Sequence, residues 1–174
     1  MKNTFVFFLI LLLMFVHNIF TQESGKSGDS ELSIGGGIEW NMNSRENFAA
    51  AVSASIDYNL PFFTLPLSAG ATFIYSNNFY GFSVVEIAGT FRWYFLSSGF
   101  TGFFAQADLG TYIFMEDSST TPLFLGGLRG GFRLPIGNFY IEPYGRLGFP
   151  FTFGLGIIGG ISLQPVRANG ITTE

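Results

Sequence analysis

From Phe48 to Leu60 the chain alternates without a break between two kinds of side chain. Phe48, Ala50, Val52, Ala54, Ile56, Tyr58 and Leu60 fall on one side, and Ala49, Ala51, Ser53, Ser55, Asp57 and Asn59 on the other. Successive side chains of an extended chain point to opposite faces, so this rhythm is that of a β-strand with one greasy and one polar face. A helix needs apolar residues three and four apart, and no stretch beyond the N-terminal apolar run sustains that spacing. A sheet with two unlike faces must choose which one looks inward. That choice decides what such a chain can be.

Seven further segments keep the same rhythm. Ile34, Ile38, Trp40 and Met42 oppose Ser33, Gly35, Gly37, Glu39 and Asn41; Leu65 to Tyr75 sets Phe73 and Tyr75 against Ser68, Gly70, Thr72 and Ser76. Val85, Ile87, Phe91, Trp93 and Phe95 oppose Glu86, Arg92 and Tyr94, and Phe103 to Met115 opposes Gln106, Asp108, Gly110 and Tyr112. Phe124, Leu128, Phe132 and Leu134 face away from Gly127, Arg129, Gly131 and Arg133. Phe139, Ile141, Leu147, Phe149 and Phe151 oppose Tyr140, Glu142, Tyr144 and Arg146, and Leu155 to Leu163 opposes Gly156, Gly160 and Ser162. Six apolar residues break the rule by falling on the polar side: Ile74, Val84, Phe104, Phe114, Leu125 and Ile158. Turn-forming clusters separate the segments at Asn43-Ser44, Asn77-Asn78, Ser97-Ser98-Gly99, Asp117-Ser118-Ser119 and Pro135-Ile136-Gly137-Asn138. Eight strands joined by short turns predict an all-β, antiparallel, up-and-down closed barrel.

Two patterns bear on which face looks out. Every charge within these segments lies on the polar face: Glu39, Asp57, Glu86, Arg92, Asp108, Arg129, Arg133, Glu142 and Arg146. An arginine facing lipid at mid-bilayer costs about 2–4 kcal/mol, which is reason enough to turn it inward. A soluble barrel would also segregate its charges, so the second pattern carries more weight. With strands running alternately up and down, the apolar face gathers Trp40, Phe48, Phe73, Tyr75, Phe124, Phe149 and Phe151 at one rim. Tyr58, Trp93, Phe95, Phe103, Phe132 and Phe139 gather at the other, with aliphatic and small residues between. Two aromatic girdles around an aliphatic band match two lipid–water interfaces, and a soluble core has no reason to sort its rings by height. The expectation is a transmembrane barrel whose five acids and four arginines pair within a narrow bore.

Composition narrows the chemistry. There is no cysteine, and the single histidine, His17, lies in the N-terminal apolar region. Thiolate catalysis, cysteine metal sites, serine–histidine hydrolysis and histidine–zinc chemistry therefore have no residues to work with. Charged residues are 11% of the chain, whereas soluble domains carry about 25%. The slight acidic balance offers no basic footprint for nucleic acid. Gly35-Gly36-Gly37 and Gly126-Gly127 sit inside strands and precede no helix, so they do not cradle phosphate. No catalytic, metal or cofactor site is expected.

Met1, Lys2 and Asn3 lead into an apolar run from Phe5 to Val16, followed by polar residues. That is the layout of a secretory signal peptide and too short to cross hydrocarbon as a helix, which takes about 20 apolar residues. The expected organisation is a removed signal peptide over residues 1–22, a flexible arm over 23–31, a barrel over 32–163 and a tail over 164–174. No A-x-A site marks the cleavage point.

The stretches FFAQADLGTYIF (Phe103 to Phe114) and GNFYIEPYGRLGFPFTFGLGIIGG (Gly137 to Gly160), within the span Glu31 to Leu163, resemble the small eight-stranded outer-membrane barrels of the OmpA/OmpX/OmpW-like group. The resemblance implies export through the inner membrane, periplasmic chaperoning and insertion by the barrel-assembly machinery; a Gram-negative-type envelope, outer-membrane lipid as surroundings and a monomer are expected with it. It transfers no functional residue. The last strand ends near Leu163 without the terminal aromatic common in that group. The longest outward connection, about Glu116 to Thr121, is too short for a loop-borne receptor or adhesion role. The leading expectation is a structural or porin-like outer-membrane barrel without catalysis. The alternative is a soluble periplasmic, lipocalin-like barrel binding an apolar ligand inside, and a lipid-modifying barrel enzyme is weakest because histidine is missing.

Overall fold

The computed structural model describes residues 31–42, 48–60, 65–78, 83–95, 100–116 and 119–163. The expected signal peptide, nearly all of the arm, the tail, and the turn signals at Asn43-Ser44, Ser97-Ser98-Gly99 and Asp117-Ser118 lie outside them. Eight strands follow in order: β1 (Leu32–Met42), β2 (Phe48–Asn59), β3 (Leu67–Asn78), β4 (Ser83–Phe95), β5 (Gly102–Glu116), β6 (Ser119–Ile136), β7 (Phe139–Phe149) and β8 (Phe153–Leu163). Each pairs antiparallel with the next, and β8 returns to pair with β1, closing an up-and-down barrel.

The register fixes the shape. Stepping across the sheet from Leu32 leads to Tyr58, Ala69, Phe91, Ala107, Leu128, Leu147 and Phe153, and returns to β1 at Met42 rather than Leu32. One circuit thus climbs from residue 32 to residue 42, roughly 33 Å along the strand at about 3.3 Å per residue. A stagger of this size tilts eight strands about 40° from the axis and leaves a bore that side chains can fill.

The apolar face looks out. Trp40, Phe124 and Phe149 are 61%, 73% and 72% exposed, while Arg92, Glu86 and Glu142 are at most 1% exposed. Between the rims the outer face mixes exposed aliphatic side chains such as Ile38, Leu109, Leu128 and Ile157 with small residues paired across strands, Gly36 with Ala54, Ala71 with Gly89, Gly130 with Gly145, and Gly159 with Gly36. Of the six apolar residues on the polar side, Ile74, Val84, Phe104, Leu125 and Ile158 are buried in the bore as filling.

Three expectations need correction. Asn77-Asn78 is the end of β3, not a turn, because Asn77 still pairs with Ser83. The connection expected from Glu116 to Thr121 is mostly strand, since β5 and β6 pair out to Glu116 with Ser119. Phe151 is not on the outer rim: it is 5% exposed and packs in the bore with Ala49, Val84, Ala88, Tyr112 and Leu125. β7 ends at Phe149, so Phe151 belongs to the turn and escapes the strand's alternation; Phe153, opening β8, points outward instead. The Gly137-Asn138 turn joins β6 to β7 with two residues, and Gly137 takes φ +64°, a conformation glycine adopts without strain.

Glycines on the inner face of β8 are notches. Gly160 pairs with Tyr140 and Gly156 with Tyr144, and a Cβ on either would run into the tyrosine ring lying over it. Gly159, between them, faces out with nothing near. Gly160→Ala is expected to destabilise the folded barrel by about 1–3 kcal/mol through overpacking. Gly159→Ala should be neutral or stabilising by up to about 1 kcal/mol. Urea unfolding of both variants in detergent checks the ranking, and equal stabilities would contradict it.

Candidate functional site: the charged bore

The inward charges form three groups stacked along the axis. At the end holding Leu32 and Leu163, called here the terminal end, Arg92 of β4 and Arg133 of β6 share Glu142 of β7. Arg92 Nη1 donates to Glu142 Oε1 at 2.8 Å, and Arg133 Nε donates to the same oxygen. Both guanidinium groups also approach Asp57 Oδ2, at 3.7 and 3.9 Å. Arg92 Nε donates to Gln106 at 2.7 Å, and Arg133 Nη1 to Ser33 at 3.2 Å. Two arginines meet two carboxylates here, and the charge cancels.

In the middle, Arg129 Nη2 lies 3.3 Å from Asp108, with its guanidinium 4.5 Å over the Tyr144 ring. Toward the far end, Arg146 serves two acids. Its Nη1 and Nη2 grip both oxygens of Glu86 at 2.8 and 2.9 Å, and its Nε is 2.8 Å from Glu39. Tyr144 Oη donates to Glu39 at 2.6 Å. The excess of one acid over the arginines therefore falls in this last group. A bidentate arginine–carboxylate pair gains both geometry and strength over a single contact.

The positions explain why the ions tolerate burial. Arg92 and Arg146 reach across the bore to acids two and three strands away, and Arg133 reaches Asp57 as well as Glu142 on the neighbouring strand, whereas Arg129 pairs with Asp108 on adjacent β5. Aromatic rings insulate them: Arg92 lies 4.3 Å from the Phe104 ring centre and Arg133 lies 4.1 Å from that of Tyr140. A second apolar cluster of Tyr94, Phe104, Tyr140, Tyr144 and Ile158 fills the terminal half, while the Phe151 cluster fills the far half. Among the described residues, no three ligating side chains converge to hold a metal ion.

No family model matches the chain, and no curated protein does. Solved structures do. The crystal structure of the N-terminal β-barrel domain of Pseudomonas aeruginosa OprF is similar at TM-score 0.56 and 14% identity, covering 79% of this chain and all of that one. The crystal structure of neisserial surface protein A (NspA) is similar at TM-score 0.52 and 10% identity, covering 82% of this chain and all of that one. The fold is that of the small eight-stranded outer-membrane barrels.

On this barrel the aromatic residues assigned to the rims, Phe151 aside, take outer-face positions. Trp40, Phe48, Phe73, Phe124 and Phe149 are exposed toward the far end, with Tyr75 half-buried and its Oη 3.1 Å from Ser83. At the terminal end Trp93, Phe95, Phe103 and Phe132 form a ladder of rings with centres 5.5, 6.2 and 4.9 Å apart, and Tyr58 and Phe139 are exposed. Phe91 and Phe153 add outward rings that the height sorting left out. Inside, the sequence reading named the charges but missed their uncharged partners Gln106, Tyr144, Ser33 and Tyr94. All four lie on the polar face of the alternation, which was the available signal.

Removing Arg146 leaves Glu39 and Glu86 buried together without a counter-charge, whereas removing Arg129 leaves Asp108 still bonded by Gln106 Nε2 at 2.5 Å. Orphaning a buried ion costs about 3–5 kcal/mol. Arg146→Ala should therefore lower stability by about that amount and Arg129→Ala by distinctly less. The temperature at which the compact, fast-migrating band is lost on unheated gels reports the order, and a reversed order would refute the assignment of Arg146 to two acids.

Proposed function

We propose that the protein is an exported, monomeric outer-membrane barrel with a structural role, closed to solutes and without catalysis. One observation carries the reading: the ring-bearing apolar face is turned outward all round, while the five acids and four arginines described above are turned toward the axis and paired. In water that surface would be an aggregation hazard, since monomers rarely expose contiguous apolar patches of more than a few hundred Å². In a bilayer it is the surface required. Strands of 11 to 18 residues exceed the 9–11 or so that a tilted strand needs to cross hydrocarbon.

The soluble, ligand-binding alternative needs the opposite arrangement, an apolar hollow inside and polar groups outside. The bore is instead packed with arginine, carboxylate, tyrosine and apolar side chains. The same packing favours a plug over a pore within the porin-like range of expectations. The fold of the OprF domain and NspA supports the membrane setting. The apolar N-terminal run supports export, and insertion would then fall to the barrel-assembly machinery.

Membrane fractionation tests the setting. The protein should stay in the pellet through a carbonate wash and migrate faster on gels before heating than after; recovery in the soluble fraction ends the proposal. In planar bilayers the folded protein should show no steady single-channel conductance in potassium chloride, and reproducible unitary steps would replace the plug with a pore.

A further inference from the structure

Among the described residues, every seam of the barrel is paired without a gap except β6–β7. Gly131 pairs with Tyr144 and Leu134 with Ile141. The two rows between them, Phe132 opposite Pro143 and Arg133 opposite Glu142, drop out of the ladder although the register is the same on both sides. Pro143 accounts for both rows. Its carbonyl oxygen crowds the place a Cβ on Gly131 would take, so its backbone polar groups face β6. The nitrogen that should donate to Phe132 has no hydrogen to give.

Sheets confine proline to positions with a free edge. Two strand prolines obey: Pro122 pairs only with Ile113 of β5, and Pro135 only with Tyr140 of β7. Pro143 instead stands between two strands, with Ile157 of β8 on one side and the gap toward β6 on the other. Hydrocarbon would supply no substitute donor. Side chains across the seam make up little of the loss, since Gly130 faces Gly145 and Gly127 faces Gly148. The β1–β8 seam also has two glycine rows, Gly35 with Gly160 and Gly36 with Gly159, yet its ladder is whole.

What spans the gap is ionic. On the inner side Arg133 Nε donates to Glu142 Oε1, joining the two strands at one of the rows the ladder skips. On the outer side Pro143 is exposed, and Phe132 sets its ring edge-on to Phe103 of β5 at 4.9 Å. We infer that β6–β7 is the seam at which the barrel wall parts, with the Arg133–Glu142 ion pair as the clasp that holds it shut. A brief opening there bares the clasp sideways, near the terminal rim, while the other seams stay closed. The inference goes beyond the proposed function and rests on strand pairing, whatever medium surrounds the barrel.

Amide hydrogen exchange of the full folded chain in micelles, followed residue by residue by NMR, tests it. β1–β8, with its glycine rows and no proline, is the reference seam. Phe132, Leu134 and Ile141 should exchange about two- to tenfold faster than Ile34, Ile38 and Ile157 once intrinsic rates are divided out, the worth of one backbone hydrogen bond. Pro143→Val, which supplies the missing N–H from an exposed outer position, should remove most of that difference and leave the reference seam unchanged. Arg133→Met should quicken exchange at β6–β7 alone; Glu142 keeps Arg92 at 2.8 Å in that variant, so no buried acid is orphaned. Arg129→Met, whose partner Asp108 lies on β5, should show no preference for that seam. Equal protection in the two seams, a Pro143→Val variant that changes neither, or an Arg133→Met variant that quickens both alike each overturns the inference. The Pro143→Val comparison decides alone if Arg133→Met gives no compact band on unheated gels. Recovery of the protein in the soluble fraction would end the membrane reading and leave this one standing.

Discussion

Closure of the sheet is the constraint on which everything else depends. β1 pairs with β8 along its whole length, from Leu32 with Leu163 to Met42 with Phe153, so no strand edge is left along that seam. Hydrocarbon offers no hydrogen bonds, and a sheet surrounded by it must satisfy every backbone group internally. Once the ring is closed with its particular stagger, each strand's two faces become an inside and an outside, and a slip of one residue in any pair would move that strand's whole side-chain set to the wrong medium.

The inside is then a problem of volume and charge together. Eight strands leave too little width for free solvent around arginines, so each is paired with an acid inside the bore, Arg92 and Arg146 with acids across it and Arg129 with one on the adjacent strand. The molecule divides the task between its walls: β4 to β7 contribute reach, and β1 to β3 and β8 contribute space. The β8 glycines beneath Tyr140 and Tyr144 show this at the level of single residues. The Arg92 and Arg146 pairs of this ring-insulated interior link strands that are not neighbours in the sheet, in line with the closed barrel proposed above.

Much of this was legible in the sequence because a two-faced strand writes its orientation into every second residue. The uninterrupted alternation of β2 defined a strand, and the gathering of Glu39, Asp57, Arg92 and Arg146 on one side defined its polar face. The failures came where that rule has no grip. Phe151 was misplaced because counting by two continued across Pro150, after the strand had ended. Asn77-Asn78 has turn chemistry, yet pairing with β4 holds it in the sheet. The partition of the charges into three groups, and the purpose of Gly156 and Gly160, depend on which residues stand opposite one another; that is set by stagger, and no single segment encodes it.

The middle of the outer face, where glycine meets alanine or glycine across neighbouring strands, has a consequence for whatever surrounds the barrel. Bulky side chains there are few, Ile38, Leu128 and Ile157 among them, while the rings stand at the two rims. On the membrane reading proposed above, the rings would anchor the barrel at two levels, and the spacing of those levels would favour lipid of matching thickness.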